Sequence, residues 1–338
     1  MRHWQLVLTV LGATFYPTLC PAEPTTININ RFVLGTDVPE SPGIMLLPMG
    51  CLPVVRGSAP KPVVLTTAFN SNNDHLAPVL ALDFTPYYFF GGGKRDLEGY
   101  RSDSVVGRLT RVLTKTSMSI ARLGPQDDSG ATTHLGIGIR ATFHDPHDPV
   151  LNSSLPESIA AELSSNGLNG VVDPSIEDVT DYGTALDEHL AHARREMRQR
   201  RGLQVSGGFG ELFALKNDSV SKDSLNTELR LYWLSTQITI DGRFDVLITG
   251  QLRDYVAFDS EVWAGAAILR KMNPADLTIG AFYDSGSSRV FPFAQAEIRA
   301  LQHLQVLGSL AVFPKDKLQP VSVLSARLGC RLYVAFDR

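Results

Sequence analysis

The sequence predicts an all-β fold: a closed antiparallel transmembrane β-barrel of about 12 strands with a helical periplasmic insertion. Three observations predict it. Segments of roughly ten residues recur in which apolar and polar residues strictly alternate, the period of a strand with two unlike faces. Beyond residue 22 no stretch approaches the roughly 18 uninterrupted apolar residues of a spanning helix. The chain also begins like an exported protein, so a membrane is available to it.

Residues 1–22 carry Arg2 and His3, an apolar run from Trp4 to Leu19, and then Cys20, Pro21 and Ala22. Small residues at the −3 and −1 positions predict cleavage of a secretory signal after Ala22; a lipoprotein would need a small residue where Leu19 stands. The mature chain then holds 30 basic and 35 acidic residues, an acidic balance that gives no footprint for nucleic acid. Cys51 and Cys330 remain after cleavage; they either pair in an oxidising compartment or leave Cys330 as a small buried thiol. Residues 23–62 are rich in proline and lack periodicity, and read as an N-terminal arm or plug element.

The barrel is expected over residues 63–338. Between His134 and His144, Leu135, Ile137, Ile139, Ala141 and Phe143 fall on one face, against His134, Gly136, Gly138, Arg140 and Thr142. Between Arg243 and Arg253, Phe244, Val246, Ile248, Gly250 and Leu252 oppose Arg243, Asp245, Thr249, Gln251 and Arg253. Ala294–Ala300 and Leu324–Phe336 repeat the pattern. Weaker strands are read at Val79–Phe89, Leu113–Leu123, Leu203–Ala214, Thr227–Trp233, Glu261–Arg270, Leu277–Tyr283 and Leu304–Phe313, with Val63–Phe69 completing the count. Glu211 and Arg270 interrupt the apolar face of their strands. Because lipid offers the backbone no hydrogen-bond partner, a sheet that crosses it must close on itself.

With the C-terminus in the periplasm, alternate connections fall inside and outside. The links near Ser235–Ile240, Lys271–Ala275 and Leu301–Leu304 then fall inside, and those near Lys216–Ser224, Ser285–Arg289 and Pro314–Pro320 outside. The same parity puts a long insertion, at about 145–201, in the periplasm. It holds an expected helix from the N-cap Thr184 through Leu186, Leu190, Ala193 and Met197 to Gly202, and a shorter one starting at Pro156. Arg194, Arg195, Arg198, Arg200 and Arg201 crowd the end of the longer helix, where they offset its dipole and offer a surface to an anionic periplasmic partner.

Inward charges follow from strand parity: Asp83, Arg140, Glu228, Arg230, Arg243, Asp245, Glu297, Arg299, Arg327 and Arg331 are expected to line the lumen. They set selectivity if the lumen is open and pair with one another if it is closed, which the modest interior of such a ring and the N-terminal arm favour. Tyr87–Phe90 reads as an aromatic girdle at the membrane interface. The run His144-Asp145-Pro146-His147-Asp148-Pro149 offers metal-ligand side chains, but a proline-stiffened turn accounts for it without metal. Gly91-Gly92-Gly93-Lys94 lacks the spacing of a phosphate loop and reads as a turn. His134 and Ser206 are the candidates for a hydrolase at the barrel wall, though no motif joins them. No catalytic residue, metal or cofactor is assigned.

Several stretches resemble a group of uncharacterised exported bacterial proteins predicted to be outer-membrane barrels: Ser41-Pro42-Gly43 with Leu46-Leu47, Val55-Arg56, Pro60-Lys61, Phe84-Thr85-Pro86-Tyr87-Tyr88, Leu135–Arg140 and Asp145–Pro149. The resemblance implies export and a barrel, and carries no activity. The usual barrel ending closes the chain with an aromatic; here Asp337 and Arg338 follow Phe336. The expected function is an outer-membrane barrel, a structural scaffold or narrow pore bounded by lipid. The alternatives are a membrane-embedded lipid hydrolase and a soluble periplasmic all-β binding protein.

Overall fold

The computed structural model describes residues 41–47, 63–72, 75–90, 97–124, 133–151, 196–197, 200–215, 225–272, 275–301, 304–313 and 323–334. The predicted signal, Cys51, Gly91–Lys94, the helix starting at Pro156 and most of the helix expected from Thr184 lie outside the described residues, as does the side chain of Cys330.

Among the described residues, twelve antiparallel strands follow one another around a ring. They are β1 (Val63–Asn72), β2 (His75–Phe84), β3 (Thr116–Leu123), β4 (Thr133–His144), β5 (Gly202–Leu215), β6 (Leu225–Thr239), β7 (Phe244–Tyr255), β8 (Glu261–Lys271), β9 (Ala275–Asp284), β10 (Arg289–Leu301), β11 (Leu304–Phe313) and β12 (Val323–Val334). Each pairs with its sequence neighbours, and β1 pairs with β12 from Val63↔Val334 to Asn72↔Ser325, which closes the sheet. A ring leaves no unpaired edge, so the backbone is satisfied without help from solvent.

The helices are short and belong to the connections: α1 (Pro42–Leu46), α2 (Tyr87–Phe90), α3 (Leu97–Arg101) and α4 (Val105–Thr114). The rim bearing α2 to α4, the β4–β5 connection and the tight β6–β7 turn is called here the helical rim. The β7–β8 and β9–β10 turns lie at the opposite rim.

The two faces of the wall differ as alternation requires. In β7 the buried set is Asp245, Leu247, Thr249, Gln251, Arg253 and Tyr255, while Ile248, Gly250 and Leu252 are exposed. In β4, Arg140 and Thr142 are buried while Ile137, Ile139 and Phe143 are exposed. The buried face looks into the ring, so large aliphatic side chains stand outward. A soluble sandwich buries the opposite set.

Three expected elements change. Leu113–Leu123 is not one strand: α4 runs to Thr114, and β3 begins only at Thr116. Tyr87–Phe90, expected to end a strand, forms the single turn α2. The link expected near Ser235–Ile240 is mostly strand, since β6 continues to Thr239 and the turn lies just beyond it. There Asp241 Oδ1 accepts from the backbone N–H groups of Arg243 and Phe244 at 2.7 and 2.9 Å, an Asx turn that a short polar side chain closes on its own backbone. Of the helix expected up to Arg201, Glu196 and Met197 are helical, and Arg200 bonds Glu196 at 2.9 Å one turn back.

Candidate functional site: the interior of the ring

Residues 41–47 lie inside the ring, every one of them buried. Pro42 opens α1 at a position where its missing N–H costs nothing, and Ser41 stands before it in an extended conformation. The helix packs on β3, β4 and β5. Its approach is close because the wall is small there. A Cβ on Gly136 would sit 2.4 Å from the Gly43 carbonyl oxygen, one on Gly138 2.8 Å from Pro42 Cβ, and one on Gly210 2.6 Å from Leu46 Cδ1. Glycine is what lets one backbone come this near another. Ser119 Oγ accepts from the Gly43 N–H at 2.5 Å, which satisfies a donor the short helix leaves open. Ile44, Met45, Leu46 and Leu47 then form one apolar cluster with Val79, Ala121, Leu123, Leu212, Leu229, Leu231, Trp233 and Tyr255.

Across the ring the wall fills the space with its own side chains. Trp263 stacks on Phe282 with centroids 4.8 Å apart, and Phe291 follows at 5.5 Å. Leu247, Ala267, Leu269 and Phe293 complete this second cluster. Arg253 lies over the Trp263 ring at 3.6 Å, a cation held by the negative π-face.

Toward the helical rim the interior becomes polar. Asp245 is fully buried and receives Lys271 Nζ at 2.8 Å and Gln237 Nε2 at 2.6 Å. Thr249 Oγ1 donates to Ser235 Oγ at 2.9 Å, Gln295 Nε2 to Glu297 Oε1 at 2.5 Å, and Arg140 Nη2 to Ser117 Oγ at 3.4 Å. Asp83 is buried in the same layer. Buried hydrogen bonds of this kind hold polar side chains in place.

Of the ten charges expected inside, Asp83, Arg140, Asp245 and Glu297 therefore point inward. Arg299, Arg327 and Arg331 sit at strand positions paired with Gln305, Asn70 and Thr66, and their side chains lie outside the described residues. Two need correction, and a third arrives inside by an irregular route. Arg243 belongs to the exposed β6–β7 turn, where its carbonyl accepts the Lys271 N–H. Arg230 is exposed on the outside, 3.2 Å from Glu211, so the charge that interrupts the apolar face of β5 is answered from the next strand. Glu228 falls in a bulge: Leu212 pairs with Leu229 and Phe213 with Thr227, which leaves Glu228 without a β5 partner and breaks the alternation. Its carboxylate nevertheless reaches the interior, 3.3 Å from Nε2 of His134, which shares the inward face of β4 with Gly136, Gly138 and Arg140. The β6 pattern misleads because Leu229 and Leu231 turn inward to meet the apolar α1 instead of facing out.

His134 and Ser206 are not brought together. Ser206 pairs with Thr142, eight positions further along β4, a separation on the order of 26 Å. The carboxylates of the His144–Pro149 run serve another purpose. Asp145 and Asp148 hold Lys115 Nζ at 2.9 and 2.6 Å, and Tyr100 Oη donates to Asp148 Oδ2 at 2.7 Å. Burial works against the Lys115 charge, but the two carboxylates outweigh it and hold its pKa above the ordinary lysine value. Asp145 Oδ1 and Asp148 Oδ1 accept from the N–H groups of His147 and Val150, each at 3.0 Å. The run is a turn, as its prolines suggest, and it clamps the helices to the end of β4. Lys115 was not legible as its partner, because 30 residues separate it from Asp145.

Fold and interior together define a class: an all-β antiparallel ring with an apolar outside and a filled inside. Neither a family profile nor a curated protein sequence matches this chain. Among solved structures it is similar to the KdgM porin, at 6% identity and TM-score 0.44 over 80% of this chain and 99% of that one. It is also similar to Omp33 of Acinetobacter baumannii, at 6% and 0.38 over 81% and 99%. Outer membrane phospholipase A from Escherichia coli follows at 8% and 0.40 over 81% and 90%. Likenesses this distant say nothing about what the chain carries or cleaves.

Proposed function

We propose that this chain is an outer-membrane β-barrel, a structural scaffold or narrow pore whose lumen is obstructed in the state described. One observation carries the proposal: outward positions such as Ile139, Ile248, Leu252, Ile268 and Ile279 are large, apolar and exposed, while Arg140, Asp245, Arg253 and Glu297 are buried inside. Water favours the reverse arrangement, and hydrocarbon favours this one. Strands of 10 to 15 residues, such as β9 and β6, tilted by about 45°, are long enough to cross the roughly 25 Å apolar band of such a membrane.

On this reading, export uses residues 1–22 as a cleavable signal, residues 41–47 act as an internal plug, and the insertion at about 145–201 lies in the periplasm. There the arginines of the Arg194–Arg201 helix end are available to an anionic partner. Phe209 and Tyr232, whose rings meet on the outside at 5.1 Å, mark the boundary next to the Glu211–Arg230 pair. Phe244, with Arg270 5.9 Å over its ring, marks the boundary near the helical rim.

The test is fractionation followed by gel migration with and without heating. A folded barrel should sediment with outer membranes and migrate faster unheated. A protein that stays in the aqueous fraction, with no heat-dependent shift, sinks the reading. Planar-bilayer recordings then separate scaffold from pore, because only an open lumen gives discrete conductance steps.

A further inference from the structure

Helix α4 is inside out for a helix of a water-soluble protein. At about 100° per residue, Val105, Val106, Leu109, Val112 and Leu113 share an arc of roughly 120°, and four of them are among the exposed large side chains, Val105 at 82%. The buried side is made of Gly107, Thr110 and Thr114. Gly107 is required there, since a Cβ would meet the Ser102 carbonyl oxygen at 2.3 Å. The hydroxyls of Thr110 and Thr114 are spent on the helix itself, donating to the Val106 and Arg111 carbonyls at 2.8 and 2.9 Å. The apolar stripe is therefore presented to the surroundings by construction.

The helix is also firmly held. Ser104 caps its N-terminus by accepting the Gly107 N–H at 3.1 Å. Arg111 is tied to the Tyr100 and Ser102 carbonyls at 2.7 and 3.0 Å. At the other end, Lys115 is locked between Asp145 and Asp148, and its carbonyl accepts the Thr142 N–H at 3.2 Å. That last bond sets the final turn of α4 beside the end of β4, where Phe143 points outward and the exposed apolar face of the wall begins. Arg108 is exposed at the edge of the stripe.

We infer that α4 is an in-plane membrane helix: its Val105–Leu113 stripe enters the phospholipid leaflet next to the helical rim, continuous with the apolar wall of β3 and β4, with Arg108 at the phosphate level. Such a helix sinks its apolar face about 5–10 Å into the headgroup and acyl boundary. This rests on the outer-membrane reading and adds a contact that the barrel alone does not make.

The experiment uses the full mature chain in phospholipid vesicles, with Cys51→Ser and Cys330→Ser as background. Single spin labels are placed at Val106→Cys, Leu109→Cys, the strand position Ile139→Cys and the exposed turn position Gly242→Cys. Collisions with oxygen should exceed those with a water-soluble nickel complex severalfold at 106, 109 and 139, and the order should reverse at 242. If 139 lies in lipid while 106 and 109 behave like 242, the inference fails and the barrel reading stands. Shielding of 106 and 109 from both reagents means protein covers the stripe, which also overturns it. Should 139 itself behave like 242, the membrane reading falls and takes this one with it.

Discussion

On the β3–β5 side of the ring the inward residues are small, Ser119, Ala121, Gly136, Gly138 and Gly210, and a five-residue helix from earlier in the chain lies on them. On the β8–β10 side they are Trp263, Phe282, Phe291 and Phe293, and they meet one another. The same interior is filled by an inserted segment in one half and by the wall in the other. A wall that fills its own lumen is fixed once folded, whereas a lumen filled by a separate segment is emptied when that segment withdraws. The glycines are thus a fitted seat, and the aromatic stack is a permanent partition.

That contrast can be broken at graded cost. Phe282→Ala removes the centre of the stack and should destabilise by about 3–5 kcal/mol, read as a lower urea midpoint in detergent. A loss below about 1 kcal/mol would mean the aromatic half is not a packed core. Lys115→Met leaves the buried Asp148 and the half-buried Asp145 without their cation, at a cost of about 3–5 kcal/mol. Because its pKa is raised in the folded protein, the Lys115 contribution is complete below the ordinary lysine value of 10.5 and is lost as pH rises through the higher folded value. Alkaline titration should therefore destabilise the parent chain more than the Met variant, and parallel curves would refute the clamp.

Gly136→Val drives a side chain into the Gly43 carbonyl. It should cost about 1–3 kcal/mol while releasing residues 41–47 to added protease, with conductance appearing in bilayers if the seat is what closes the lumen. An unchanged digestion pattern would remove the distinction between the halves. The smallest effect belongs to Arg230→Ala, below about 1 kcal/mol, because both partners of its ion pair are part-exposed.

Much of the wall was legible because its faces differ. In β4 and β7 the outward set is mostly aliphatic and the inward set mostly polar or glycine, so period two fixes both strand and orientation. β6 failed by the same logic: an apolar insert makes Leu229, Leu231 and Trp233 inward residues, and alternation cannot tell an oily lumen from lipid. Helix α4 left a signal that went unread, Ser104 as cap and apolar residues at 105, 106, 109, 112 and 113, which the expectation of a long strand ending at Leu123 obscured. Five residues of α1 are too few for any period to emerge, and its glycine seat lies roughly 90 residues further on, where spacing carries no information.

The pairing of β1 with β12 has a consequence for how the molecule comes to exist. Every other strand finds its neighbour across one connection, but Val63 waits for Val334, so the last step of assembly joins the two extremes of the sheet. Until then Val63–Asn72 exposes a free hydrogen-bonding edge that invites mispairing. Assembly cannot be completed while the polypeptide is still emerging; the whole chain must be delivered first, kept unaggregated, and then zipped shut at a single seam.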